Sequence, residues 1–105
     1  MIDLDFTFTA ELWEWHASGE TRAGSWHFVT LPKTISKDIK TFTRHRKSGF
    51  GSVRVKVTCG DTEWLTSIFP SNEKDAYILP VKKAVRKAED LCKGASGDFE
   101  ISVLI

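Results

Sequence analysis

From Ile2 to Leu12 every second residue is apolar. Ile2, Leu4, Phe6, Phe8, Ala10 and Leu12 share one face, and Asp3, Asp5, Thr7, Thr9 and Glu11 share the other. Period two over that length predicts a half-buried β-strand running on to Trp15. At Trp13 and Trp15 aromatic rings join the polar face, so the strand either bulges there or runs past the sheet edge. Ala17 to Thr21 reads as a turn, and Ser25 to Leu31 as a second strand that Pro32 ends, because proline has no ladder donor. Ile35, Ile39 and Phe42 then recur at helical spacing across Lys33 to Thr43, which predicts a short amphipathic helix laid on the sheet.

After a basic loop, Arg44 to Gly49, alternation returns. Val53, Val55, Val57 and Cys59 alternate with Arg54, Lys56 and Thr58, and Gly60-Asp61 turns the chain back into Thr62 to Phe69. A two-residue turn sets Val57 opposite Trp64; a three-residue turn with a glycine bulge moves Trp64 to the other face. Pro70 to Asp75 is a surface turn, Ala76 to Leu79 a short strand, and Val81 to Leu91 a helix with Val81, Val85, Ala88 and Leu91 in one stripe. Gly94 to Gly97 breaks it before a last strand, Asp98 to Ile105, with Phe99, Ile101, Val103 and Ile105 on one face.

The pattern predicts a mostly β fold: about six antiparallel strands curled into a split barrel, with two short helices. The segments HFVTLPKTISKDIK and AYILPVKKAVRKA each lead on through a glycine to a strand. This echo, which sets Ile35 and Ile39 against Val81 and Val85, predicts two pseudo-symmetric halves. A six-stranded barrel is narrow enough to be packed solid by side chains, so a site belongs on a rim, a loop or an outer face. The 105 residues suit one domain spanning 1–105.

Composition narrows the function classes. No apolar run approaches the roughly 20 residues that span a bilayer, and the N-terminus carries no secretory pattern, so the expected compartment is the cytoplasm. Cys59 and Cys92 stand far apart and are expected as buried or half-buried free thiols. Net charge is +1, but it is unevenly spread. Residues 1–20 hold five acids and no lysine or arginine; residues 33–56 hold eight bases against Asp38 alone. The two segments either neutralise each other or leave a basic face for an anionic partner.

Two blocks look familiar together: GFGSVRVKVTCGDTEWLTSIFP, Gly49 to Pro70, and YILPVKKAVRKAEDLCKGASG, Tyr77 to Gly97. With Trp26 to Phe28 and Leu31-Pro32 they resemble a bacterial domain family of unknown function, found alone or beside YdeI/OmpD-associated, bacteriocin-protection-type domains. The specific elements are Trp64, Thr66, Ser67, Phe69 and Pro70 in one run and Leu79 to Ala88 in the other. The resemblance implies a split β-barrel and no established activity. The last block is also similar to the half-barrel of AbrB-type regulators, which swap strands in a dimer and bind DNA with arginines.

Reactive constellations are missing from the pattern. His16, His27 and His45 share no helical face and have no cysteine pair for zinc. No serine lies in a nucleophile elbow, and the glycine-rich Gly94 to Gly97 opens a strand rather than a phosphate-binding helix. Cys59 on an apolar face reads as a small core residue. No metal or cofactor is expected. Trp26 and Trp64 are expected in the core and Trp13 and Trp15 outside it. The favoured reading is a non-catalytic binding module for an anionic or aromatic ligand, monomeric or homodimeric, with candidate residues Arg44, Arg46, Lys47, Arg54, Lys56, Trp64 and Arg86. The alternatives are nucleic-acid binding through the basic 44–56 region and an enzyme working in a loop or dimer groove.

Overall fold

The computed structural model describes residues 4–15, 26–43 and 51–104. Among the described residues seven strands and two helices follow in the order β1 (Asp5–Glu11), β2 (Trp13–Trp15), β3 (Trp26–Thr30), α1 (Lys33–Thr43), β4 (Val53–Cys59), β5 (Thr62–Ser71), β6 (Ala76–Pro80), α2 (Lys83–Ala88) and β7 (Ser96–Val103). All pairings are antiparallel, and the sheet order is β1-β7-β4-β5-β6-β3-β2. The outermost strands of that order are neighbours in sequence, separated only by Leu12. The curled sheet is thus a split barrel whose two edges belong to one stretch of chain.

The strand count is seven rather than six because that stretch changes partners. Glu11 pairs with Ser96 of β7, and Trp13 pairs with Phe28 of β3. Between them the Leu12 N–H donates to the Ala95 carbonyl at 2.9 Å, and its own carbonyl accepts from the Gly94 N–H at 2.9 Å. Its side chain is buried in the core. The alternation never slips: Leu4, Phe8 and Leu12 point inward, and Trp13 and Trp15 follow the outward series. β5 makes the matching crossing in the second half, pairing with β4 up to Ile68 and with β6 from Phe69.

The two halves are related by exchange. β3 pairs with β6 around Val29 and Leu79, and β4 pairs with β7 around Lys56 and Ser102. The Leu31 N–H donates to Tyr77 O at 3.0 Å and the Val81 N–H to His27 O at 2.8 Å, so Leu31 and Val81 occupy equivalent places. This corrects the expected match of Ile35 with Val81: Val81 ends a strand ladder and does not start a helix. Inside, Val29, Leu79, Val55, Val57, Ile68 and Ile101 are fully buried, and Phe8 stacks on Phe99 with ring centroids 5.7 Å apart. Each such aliphatic side chain contributes about 1.5–3 kcal/mol.

The helices depart from the expected stripes for identifiable reasons. In α1 the buried residues are Ser36, Ile39 and Thr43, and Phe42 is 49% exposed. The Tyr77 N–H of β6 donates to the Ser36 hydroxyl at 3.0 Å, which rotates Ser36 inward. The Thr43 hydroxyl turns back to the Ile39 carbonyl at 2.7 Å. α2 is shorter than the expected Val81 to Leu91, and Ala88 is exposed. It stops because Asp90 takes a left-handed φ of 55°. The Leu91 N–H then reaches Arg86 O at 2.8 Å and the Asp90 N–H reaches Lys87 O at 3.4 Å, a Schellman cap with aspartate in the usual glycine position.

The hairpin register is that of the two-residue turn. Val57 faces Trp64 and Cys59 faces Thr62, with Gly60 at a φ of 59°. The Glu89 carboxylate lies against Gly60 and accepts from the Thr62 hydroxyl, which fastens the end of α2 to the turn. No helix among the described residues is long and apolar enough to cross a membrane.

Asp90→Val is expected to lower unfolding free energy by about 1–2 kcal/mol, because a β-branched residue resists left-handed backbone. Asp90→Gly should retain or raise it. Urea denaturation of both variants checks this, and equal losses would show that the cap does not limit α2.

Candidate functional site

With the interior filled, the features open to a partner lie outside. The outer face of β2, β3, β6 and the end of β5 carries aromatic and apolar side chains in register. Trp13, Phe28 and Pro80 align across three strands. Trp15 pairs with Trp26, and Phe69 with Ile78. Together they line a groove of about 430 Å³. Trp26 is 59% exposed and Trp15 48%. The expected core placement of Trp26 is therefore corrected: β3 turns His27 and Val29 inward and leaves Trp26 and Phe28 outside.

Three of these rings, Trp13, Phe28 and Trp26, are held by their neighbours. The Trp13 Nε1–H donates to the Thr30 hydroxyl at 2.8 Å. Phe28 sits between Trp13 and Trp26, with centroids 5.0 Å and 6.3 Å away. The Lys74 ammonium lies 4.6 Å from the Trp13 ring centroid, a cation–π contact. Rotamers fixed this way lower the ordering cost of association.

A second feature adjoins the groove. α1 presents Lys33, Lys37 and Lys40 to a cleft of about 330 Å³, closed on its other side by Pro70, Ser71 and Tyr77. Ser71 lines both cleft and groove. Asp75 is the acid in the cleft, with its carboxylate 3.9 Å from Lys33 between two exposed side chains. Such a pair contributes little.

The third feature is a polar cluster on the inner side of β2 and β3, where α2 crosses. Glu14 and His27 are cross-strand partners, with Oε2 and Nε2 3.6 Å apart. Arg86 Nη1 lies 3.5 Å from the same His27 nitrogen, and Arg86 Nε donates to the Val81 carbonyl at 3.2 Å. Lys93 Nζ stands 3.9 Å from Glu14 Oε1.

Of the sequence-derived candidates, Arg44, Arg46 and Lys47 lie outside the described residues. Arg54 and Lys56 are exposed on the outer face of β4, and Lys56 lies 3.5 Å from Glu63. Trp64 points to the opposite, inner face and is buried; its Nε1 has no hydrogen-bond partner among the described residues. Arg86 belongs to the Glu14 and His27 cluster. Trp26, Phe28, Ile78 and the α1 lysines are not among the sequence-derived site candidates. Their signal was present as Trp-x-Phe and as the Lys33, Lys37, Lys40 spacing, but it takes the tertiary fold to join them.

A family model described as a domain of unknown function, DUF1905, matches residues 8–101. The chain belongs to this family. The match runs from β1 to β7 and so covers both halves of the DUF1905 barrel. Among curated proteins no match is found.

Within this DUF1905 fold the thiols differ in character. Cys92 is exposed, contrary to the buried or half-buried expectation, and Cys59 is buried. Burial pushes the Cys59 thiol up, and the nearby Glu89 and Asp98 carboxylates push it further. It stays protonated at neutral pH and is a poor nucleophile. Among the described residues no group of three or more His, Cys, Asp or Glu is arranged to hold a metal ion. A disulfide-exchange reagent at neutral pH is expected to label Cys92 quickly and Cys59 only after urea is added. Two fast thiols in the native state would contradict the burial.

Proposed function

We propose that this domain is a non-catalytic binding module that takes a flat, ring-bearing ligand in the aromatic groove. The observation that carries this reading is the pair Trp15 and Trp26, both largely exposed, set in register beside the Trp13 and Phe28 rings. Scattered exposed apolar residues are ordinary on a protein surface. A contiguous aromatic face is different, since beyond its internal ring contacts it leaves flat apolar surface open for a partner to stack on. Lys74 and Thr30 hold Trp13, so the platform is preorganised rather than collapsed. Bacterial origin, a cytoplasmic setting and company with YdeI/OmpD-associated domains belong to the same proposal, carried by the Trp64 to Pro70 and Leu79 to Ala88 resemblances. In that setting the module would present a partner or ligand to a neighbouring activity.

The test is an NMR titration of the four tryptophan indole resonances with a mixture of small aromatic fragments. The Trp15 and Trp26 signals are expected to shift together, and the buried Trp64 serves as the internal control. Shifts confined to Trp64, or to amides around Glu14 and His27, would move the site to the barrel mouth and overturn the reading.

A further inference from the structure

We infer that the aromatic groove and the lysine cleft form one track for single-stranded nucleic acid, with bases stacked on Trp15, Trp26 and Phe69 and phosphates against Lys33, Lys37 and Lys40. The inference rests on the aromatic-groove reading and names its ligand class. Three observations carry it. The two depressions share Ser71 at the tip of the β5–β6 hairpin, which lines both. The lysines recur at i, i+4 and i+7 on α1, which puts them on one side of the helix facing the cleft. A further cation, Lys74, already stands over a ring at the edge of the groove.

Charge and shape choose among ring-bearing ligands. A neutral sugar or a proline-rich peptide would use the rings and leave the lysine cleft unused. A polyanion without bases would use the lysines and leave the rings in water. Single-stranded nucleic acid satisfies both, because aromatic platforms stack successive bases while a positive groove tracks the backbone. A duplex cannot do the same, since its base faces are already stacked on each other. Glu73 lines the groove and Asp75 the cleft, and both oppose an anion. Asp75 is exposed and 3.9 Å from Lys33, so it withdraws little of the field. Asn72 adds hydrogen-bonding groups to the cleft, and Ser71 adds its own to both depressions.

The experiment is fluorescence anisotropy with a labelled oligothymidylate of about twelve nucleotides, long enough for one small β-barrel site. Starting from about 20 mM salt, where phosphate contacts are strongest, the wild-type chain is expected to bind. Its log affinity should fall with log salt at a slope of about −2, the value for three phosphate contacts on a single strand. The triple variant Lys33→Ala, Lys37→Ala, Lys40→Ala should flatten that slope toward zero. The double variant Trp15→Ala, Trp26→Ala should weaken binding by about tenfold or more and leave the slope in place. Both sets alter exposed side chains, and circular dichroism verifies that the variants fold. The matching duplex should bind about tenfold more weakly.

No binding at the lowest salt overturns the inference. So does binding that the lysine variant leaves unchanged, equal affinity for duplex, or equal affinity for inorganic polyphosphate. If oligothymidylate fails while aromatic fragments still shift the Trp15 and Trp26 indoles, the nucleic-acid track falls and the groove reading stands. If both fail, both fall.

Discussion

The structure depends on one stretch of chain serving both edges of the sheet. Residues 5–15 pair with β7 on one side and β3 on the other, and the change of partner occurs at Leu12. An open sheet of this length would leave two rows of unpaired backbone groups, which attract other chains. Here the row is continued through Leu12 by the Gly94 and Ala95 backbone. The buried Leu12 side chain anchors the crossing, so the outward series passes through unbroken and Trp13 and Trp15 emerge outside. Closure of the barrel and construction of the aromatic face are therefore the same event.

The interior explains why chemistry is displaced to the surface. Side chains of both halves meet in one apolar cluster, and α2 lies between His27 of β3 and the β4–β5 turn. Glu89 ties the C-terminal end of α2 to Thr62, and Arg86 ties its middle to Val81 and His27. Those contacts commit the charged groups of the barrel mouth to structure. On the outer face the aromatic side chains are held by neighbours on the same face, and their exposed edges stay available.

Much of this architecture is legible in the chain because period-two alternation and proline punctuation are strong signals. The bounds of α1 and the inward faces of β4 and β7 follow from them directly. Other features depend on information that no local pattern carries. β3 is apolar on both faces, Trp-x-Phe on one and Val-x-Leu on the other, so alternation alone cannot say which turns inward. The end of α2 is set by a left-handed Asp90, where glycine is the usual sign. α1 is rotated by a single hydroxyl that answers an N–H donor more than forty residues away. The register at Gly60-Asp61 has two solutions in sequence and one in space. At the site, the outward placement of Trp13 and Trp15 is readable. The meeting of the α1 lysines with the β5–β6 turn at Ser71 is tertiary and has no trace in spacing.

The cost of the aromatic face is the strongest argument that it has a use. Apolar surface left in water forgoes about 25 cal/mol for each Å² that burial would have removed. Leu65, Phe42 and Leu104 are also exposed, but none of them lines the groove, so they count as ordinary surface residues. Trp13, Trp15, Trp26, Phe28 and Phe69 are gathered on a single face. Cross-strand aromatic pairs such as Trp13 with Phe28 support the sheet, but the outward-facing parts of Trp15, Trp26 and Phe69 remain in water. The hydrogen bond from Trp13 to Thr30 and the cation beside its ring give the groove fixed walls. A surface that is ordered, apolar and bordered by lysines suits the proposed ligand, flat and with its charge at one end.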